Sequence, residues 1–169
     1  NQLKVYLDGI KELNKHKLDL IVIACNTAYA FYKQFQEISK VPILNLVEEI
    51  KKKVGNHKFI IFASSGTLDA RLYSFLYNSN IQISEKDKAK LDKSIFLFNS
   101  GRNKNQQKIN VLHLIKKYCQ DKETFILLGC TEIAFMLKDI KIKNKIDSLD
   151  ILAESTIDSM LKFIKQHPL

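Results

Sequence analysis

The chain has 169 residues, which is enough for one domain or for two small lobes that share a core. Apolar residues make up 46% of it, a fraction typical of globular proteins, and this argues against a disordered chain. No apolar run approaches the ~18 residues of a membrane span, and no signal-peptide pattern opens the sequence. The three cysteines form no CxxC pair, which predicts reduced thiols and a cytoplasmic protein.

The net charge of +9 raises the question of nucleic-acid binding. Of the 27 basic residues only Arg71 and Arg102 are arginine, the usual reader of bases and phosphates, and the lysines are spread along the chain. No helix-turn-helix, zinc-finger or RNP pattern is present. The sequence therefore predicts no nucleic-acid partner and no membrane partner.

Helices and strands alternate along the chain. Apolar residues at helical spacing predict a helix over residues 2–16, and the apolar, β-branched run 18–24 is typical of a strand buried on both faces. The further predicted elements are helix 27–39, strand 42–44, helix 47–53, strand 59–63, helix 67–77, strand 81–83, helices 86–99 and 105–119, strand 124–129, helix 133–138, a short strand at 146, and helix 148–166 capped by Asp147 or Ser148. This alternation predicts an α/β fold whose mostly parallel sheets are flanked by helices.

Two segments share one layout. LIVIACNTAYAF (20–31) and FILLGCTEIAFM (125–136) each contain an aliphatic strand, a small residue, a cysteine, a nearby threonine and an Ala-Phe helix. This repeat predicts two pseudo-symmetric lobes that face each other. A strand and Ser/Gly/Thr loop at 59–67 precede the second copy, and their counterpart would lie before residue 1, which predicts a missing N-terminal segment.

Cys25 and Cys130 each follow a predicted buried strand and precede a helix. Open α/β sheets bind ligands at this edge, and helix N-termini favour both carboxylates and thiolates. Racemisation at an α-carbon needs a base on one face and an acid on the other, and two thiols from facing lobes fit that need. A single strand-end cysteine is more often a small buried hydrophobe, so the prediction depends on the pair.

The motifs resemble those of the aspartate/glutamate racemase family. ACNTA (24–28) and LGCTE (128–132) are similar to its two signature motifs, in the same order, and the ASSGT loop (63–67) resembles a third element. The Cys-Thr-Glu form resembles the aspartate racemase branch, since glutamate racemases usually have His where this chain has Glu132.

The resemblance implies a fold of two facing α/β lobes with the active site between them. The first lobe would be residues 1–46 plus 141–169, incomplete at its N-terminus, and the second residues 47–140. It also implies a homodimer that acts on a small amino-acid substrate without pyridoxal phosphate, metal or any other cofactor. By motif match Cys25 and Cys130 are the proton-transfer thiols, and Glu132 assists or orients Cys130. The implied substrate-binding residues are Asn26, Thr27, Ser64, Thr67 and Thr131.

Two positions depart from the family pattern. Tyr29 stands where the first motif ends in His, and Asn99 stands where aspartate racemases place a lysine before a glycine, here Gly101. That lysine is expected to pair with a substrate carboxylate, so Asn99 bears on side-chain specificity.

The main hypothesis is a cofactor-independent racemase of aspartate or a related acidic amino acid. One alternative is a truncated, non-catalytic member that binds a dicarboxylate or only dimerises. Another is a related two-cysteine enzyme such as a hydantoin racemase or maleate isomerase. Cys119 is predicted to be structural, and the four histidines show no metal-ligand spacing.

Overall fold

The structure is a computed structural model that describes residues 2–166, without the side chains of residues 78–80. The helices are α1 (Gln2–Leu13), α2 (Tyr32–Ile38), α3 (Leu46–Lys53), α4 (Ser65–Asp69), α5 (Glu85–Asn99), α6 (Lys104–Tyr118), α7 (Thr131–Met136) and α8 (Ser148–Gln166). Two 3-10 helices cover Thr27–Phe31 and Ser74–Ser79. The strands are β1 (Phe59–Phe62), β2 (Asn80–Ile81), β3 (Phe125–Leu128) and β4 (Lys145–Asp147).

The four strands form one parallel sheet in the order β2-β1-β3-β4. All four residues of β1 are buried, because helices cover both faces of the sheet. On one face Ile60 and Phe62 pack with apolar residues of α5, α6 and α7, and on the other Phe59 and Ile61 pack with α3 and α8. The predicted α/β fold with a parallel sheet flanked by helices is confirmed.

The predicted strands 18–24 and 42–44 form only a single parallel bridge, between Ile21 and Ile43. The Ile21 N–H donates to Pro42 O, and the Leu44 N–H donates to Ile21 O, both at 3.0 Å. Within residues 2–166 no other strand pairs with this segment, and Val22 is 38% exposed. The strand prediction was wrong here because an apolar run becomes a strand only where neighbours complete its hydrogen bonds.

The predicted helix 67–77 is divided. The chain forms α4, then a turn, then the 3-10 helix Ser74–Ser79. Arg71 lies at the turn with φ of 51°, a left-handed conformation that a right-handed helix cannot contain. Likewise the predicted helix 27–39 begins as the 3-10 helix Thr27–Phe31 before α2. The predicted strand 81–83 is shorter and earlier, at β2.

The C-terminal segment returns to the sheet. β4 pairs with β3, and α8 begins directly after it, with the Leu149 N–H donating to Asp147 Oδ1 at 3.0 Å, which confirms Asp147 as a capping residue. α8 then packs against α3. The lobe boundaries at residues 46 and 140 stay a prediction, and residues 1 and 167–169 lie outside the described residues. No helix within residues 2–166 combines the length and apolarity needed to cross a membrane.

Candidate active site

Cys25 lies just beyond the Ile21–Ile43 bridge, at the start of the first motif. Its side chain is half-buried, and its Sγ lies 3.5 Å from the hydroxyl of Tyr6, which α1 supplies. The hydrogen bond with Cys25, and then partial burial, raise the pKa of Tyr6 above its ordinary value. Tyr6 therefore stays protonated at neutral pH and can donate to the sulfur. The sequence offered no signal for this contact.

Asn26 is buried and tied to the protein on both sides of its amide. Its Nδ2 donates to Ser148 Oγ at 3.0 Å, and its Oδ1 accepts a hydrogen bond from the hydroxyl of Tyr73. These contacts fix the start of the 3-10 helix that follows Cys25. The amide helps to position the first motif, while its predicted contact with substrate stays a prediction.

Three hydroxyl groups from two segments meet beside the first motif. Thr27 Oγ1 lies 3.1 Å from Ser64 Oγ and 2.8 Å from Thr67 Oγ1, and Ser64 and Thr67 are 3.2 Å apart. Thr67 is 1% exposed, while Thr27 and Ser64 are half-buried. A Cβ at Gly66 would lie 3.0 Å from Thr27 Cγ2, so the loop approaches the first motif closely. The structure thus joins these three predicted residues into a hydroxyl triangle.

Cys130 lies at the carboxyl end of the central strand β3, where α7 begins. It is 5% exposed, and its Sγ–H donates to Glu132 Oε2 at 3.0 Å. Burial, followed by the hydrogen bond to the Glu132 carboxylate and its negative charge, raises the pKa of Cys130 to about 12. The thiol is therefore protonated at neutral pH.

Glu132 collects three hydrogen bonds. Besides Cys130, Thr131 Oγ1 donates to Oε2 at 2.9 Å and Asn99 Nδ2 donates to Oε1 at 3.0 Å. Partial burial acts to raise the pKa of Glu132, but the hydrogen bonds from Cys130, Asn99 and Thr131 outweigh it and lower that pKa. Glu132 is therefore a carboxylate at neutral pH. Asn99, which the sequence marked only as a departure, is one of its partners.

Tyr73 connects the two cysteine motifs, and sequence reasoning did not find it. Its hydroxyl donates to Asn26, next to Cys25, and its ring packs against the backbone of Gly129, next to Cys130. A Cβ at Gly129 would lie only 2.8 Å from Tyr73 Cε2, so only glycine fits there without a shift. Burial raises the pKa of Tyr73, which stays a neutral donor. A glycine directly before the second cysteine was the one available signal.

Tyr6, the partner of Cys25, is also influenced by the second motif. The negative charge of Glu132 contributes to the raised pKa of Tyr6, after the hydrogen bond with Cys25 and burial, so the two groups lie within electrostatic reach. Among residues 2–166 no group of three or more His, Cys, Asp or Glu side chains could hold a metal ion.

Tyr29, the second position that departs from the family pattern, is buried and donates its hydroxyl to Ile23 O at 3.1 Å, and burial raises its pKa to about 12.

The fold is a parallel sheet covered by helices, with one cysteine motif after β3 and another after the Ile21–Ile43 bridge, which defines the chain as an α/β protein. Comparison with known proteins gives the family: the chain belongs to the Asp/Glu/Hydantoin racemase family, whose model matches residues 2–156. Its curated relatives are amino-acid racemases, which places the chain among the isomerases.

Among those relatives, the broad specificity amino-acid racemase RacX of Bacillus subtilis (strain 168) is 26% identical over 165 residues, which cover 95% of this chain and 73% of that protein. The glutamate racemase of Aliivibrio salmonicida (strain LFI1238) is 31% identical over 137 residues, 78% of this chain and 50% of that protein. Of solved structures, Picrophilus torridus aspartate racemase has the same fold, with a TM-score of 0.77 at 24% identity, covering 93% of this chain and 68% of that one.

Proposed function

We propose that this chain racemises an amino acid by removing the α-proton with one thiol and returning a proton to the opposite face with the other. The observation that carries the proposal is the difference between the two thiols of one site. Cys25 is half-buried beside the Tyr6 hydroxyl, and Cys130 is buried with its Sγ–H donating to the Glu132 carboxylate. The proposed reaction uses these acid and base groups without a cofactor or metal.

The hydrogen-bond partners of the two thiols determine which one is the proposed acid and which the proposed base. Cys130 is the proton donor of the resting enzyme, because burial and Glu132 raise its pKa to about 12. Cys25 is the base, since the Tyr6 hydroxyl can donate to its thiolate. After one turnover Cys25 holds the α-proton and Cys130 is the thiolate. Proton exchange with water, with Glu132 as the relay at 3.0 Å from Cys130, restores the pair.

The hydroxyl triangle is the proposed binding site of the substrate's α-carboxylate. Each hydroxyl of Thr27, Ser64 and Thr67 can turn its proton towards an anion. Thr131 and Asn26, which flank the two thiols in the sequence, complete the predicted set of substrate contacts.

Aspartate, or another acidic amino acid, is the proposed substrate on the strength of the Cys-Thr-Glu motif. A broader range of amino acids is the second candidate. Within residues 2–166 no lysine or arginine side chain hydrogen-bonds to Glu132 or to the hydroxyl triangle, so no cation there is dedicated to a second carboxylate. The similarity to a broad specificity racemase points the same way.

The test is loss of the α-proton signal of L-aspartate, and of a panel of neutral L-amino acids, followed by proton NMR in deuterated buffer. We expect exchange together with formation of the D-isomer, and D-isomer formation should disappear in both Cys25→Ser and Cys130→Ser and persist in Cys119→Ser, whose cysteine lies at the end of α6. D-isomer formation that survives either of the first two substitutions would rule out the two-thiol mechanism. A folded chain without exchange on any amino acid would favour the non-catalytic alternative.

The expected homodimer and the cytoplasmic location are independent of this experiment. Both stay predictions, the first from the family resemblance and the second from the unpaired cysteines. Sedimentation of the purified chain tests the first of them.

A further inference from the structure

A polar cavity lies in the groove between α5 and α6. Its volume is about 520 Å³, and it extends over two turns of each helix. The lining residues are Lys90, Lys93, Ser94, Leu97, Gln107, Asn110, His113 and Leu114. None of these is one of the site residues described above.

Two buried polar side chains of this cavity have unused donors. Ser94 is 3% exposed, and its hydroxyl makes no hydrogen bond within the described part of the chain. Gln107 is 4% exposed, and its Oε1 accepts from Asn110 at 3.2 Å while its Nε2 has no partner among the same residues. Buried polar groups are almost always hydrogen-bonded, so two such donors in one cavity indicate a bound acceptor.

The charge around the cavity has one sign. Lys93 is exposed and has no ion-pair or hydrogen-bond partner within residues 2–166, and Lys90 shares its charge with Asp87 at 3.0 Å. No carboxylate is among the described residues that line the cavity. A groove with cations at its rim, amide and hydroxyl donors at its base and no acid attracts an anion.

We propose that this groove binds a small molecule through a carboxylate or phosphate group. Ser94 Oγ–H and Gln107 Nε2–H donate to the anion's oxygen atoms from below, and Lys93 neutralises its charge at the rim. The site is independent of the thiol chemistry and does not require that the chain be a racemase. The bound anion would hold α5 against α6, and α5 ends at Asn99, which contacts Glu132.

The test is an NMR titration of the isotope-labelled full chain, with inorganic phosphate in one arm and succinate in the other. We expect saturable shifts in the amide signals of Lys93, Ser94, Gln107 and His113, and no such shifts with chloride at matched ionic strength. A response to phosphate alone or to succinate alone identifies which anionic group the groove prefers. Shifts that grow without saturation in both arms, or that are equal with chloride, would overturn the proposal.

Four variants sharpen the result. Lys93→Gln should weaken binding about tenfold, the loss typical of one charge-assisted hydrogen bond. Lys116→Gln, the same change at another exposed lysine of α6, should leave binding unchanged. Ser94→Ala should weaken binding while Tm stays equal or rises, because the free protein loses an unsatisfied buried hydroxyl. Equal anion affinities of Lys93→Gln, Lys116→Gln and Ser94→Ala would contradict the proposed site. Cys130→Ser, which removes the proposed catalysis, should bind the anion as the unaltered chain does.

Discussion

The two cysteine junctions start from similar sequences and reach different structures. Cys130 follows a buried strand in the middle of a four-stranded sheet and leads into an α-helix. Cys25 follows a segment held by one bridge and leads into a 3-10 helix. The Cys25 thiol is half-buried and the Cys130 thiol is buried, so the sheet environment, more than the motif, sets the solvent exposure of each thiol.

Their polar partners differ in the same sense. A carboxylate favours the protonated form of the neighbouring thiol, and a phenol hydroxyl can donate to the deprotonated form. In the proposed mechanism, Cys130 with Glu132 and Cys25 with Tyr6 therefore divide the acid and base roles before substrate binds. A pair of identical residues becomes functionally unequal through neighbours that lie outside the shared motif or at its edge.

The largest expected effect comes from disturbing Tyr73, which connects the Cys25 and Cys130 junctions. Gly129→Ala would put a Cβ 2.8 Å from Tyr73 Cε2 and 3.3 Å from Ala63 Cβ, in a region where Tyr73 is only 2% exposed. We expect a loss of about 1–3 kcal/mol in the free energy of unfolding, the usual cost of overpacking. Urea denaturation measures it, and α-proton exchange should fall as well because Tyr73 also holds Asn26.

A matched control for this prediction is Gly9→Ala. Gly9 lies inside α1, and no atom lies within 4 Å of the position that its Cβ would occupy. The free energy of unfolding should rise by up to about 1 kcal/mol, because alanine is the better helix former. Equal stability of both alanine variants would show that the Tyr73–Gly129 contact is looser than described.

The sequence predicted the second junction better than the first, for a physical reason. Continuous apolar runs identify β1 and β3, since those strands are buried on both faces. The run 18–24 has the same composition, but composition does not reveal whether neighbouring strands exist. Residues of the second motif that interact are adjacent in the chain, so Cys130, Thr131 and Glu132 could be grouped from the sequence alone.

Contacts between distant segments could not be predicted. Tyr6 lies 19 residues from Cys25, Tyr73 lies 47 residues from Asn26, and Asn99 lies 33 residues from Glu132. Helix periodicity assigns Tyr6 to an apolar face, and only packing of α1 against α2 decides what that face meets. The hydroxyl triangle was found because the resemblance, rather than spacing, connected Thr27 with the 64–67 loop.

The second-largest expected effect is on the pKa of Cys130, the proposed acid. Glu132→Gln keeps a hydrogen-bonding side chain but removes the charge that, after burial, raises the pKa of Cys130. We expect the pH midpoint of Cys130 ionisation to fall by about 1, and to stay above that of an ordinary thiol because burial remains. The ultraviolet absorbance of the thiolate, followed against pH in a Cys25→Ser, Cys119→Ser background, measures it.

The sign of this shift distinguishes electrostatics from packing. A lower midpoint means that more thiolate exists at a given pH, so the alkaline limb of the exchange profile should also move to lower pH. Glu123→Gln removes the same charge from an exposed side chain in the loop before β3 and should leave both curves in place. An unchanged midpoint in Glu132→Gln would mean that burial, and not the charge of Glu132, keeps Cys130 protonated.

The smallest expected effect comes from changing the hydrogen-bond partner of Cys25, the proposed base. Tyr6→Phe removes the hydroxyl 3.5 Å from Cys25 Sγ and keeps the ring that packs against Phe35. Loss of one neutral hydrogen bond of about 1 kcal/mol should slow α-proton exchange about fivefold. In a Cys119→Ser, Cys130→Ser background the rate of Cys25 alkylation should change, because its sulfur loses a hydrogen-bond partner.

Tyr32→Phe is the matched control for this last prediction. Its hydroxyl donates to Ile43 O at 3.2 Å, so the rate of Cys25 alkylation should not change. Slower exchange in Tyr6→Phe with an unchanged alkylation rate would mean that Tyr6 acts only through the position of α1. The two junctions would then differ in burial and in Glu132 alone, and the preference of Cys25 for the base role would follow from the high pKa of Cys130 rather than from any partner of its own.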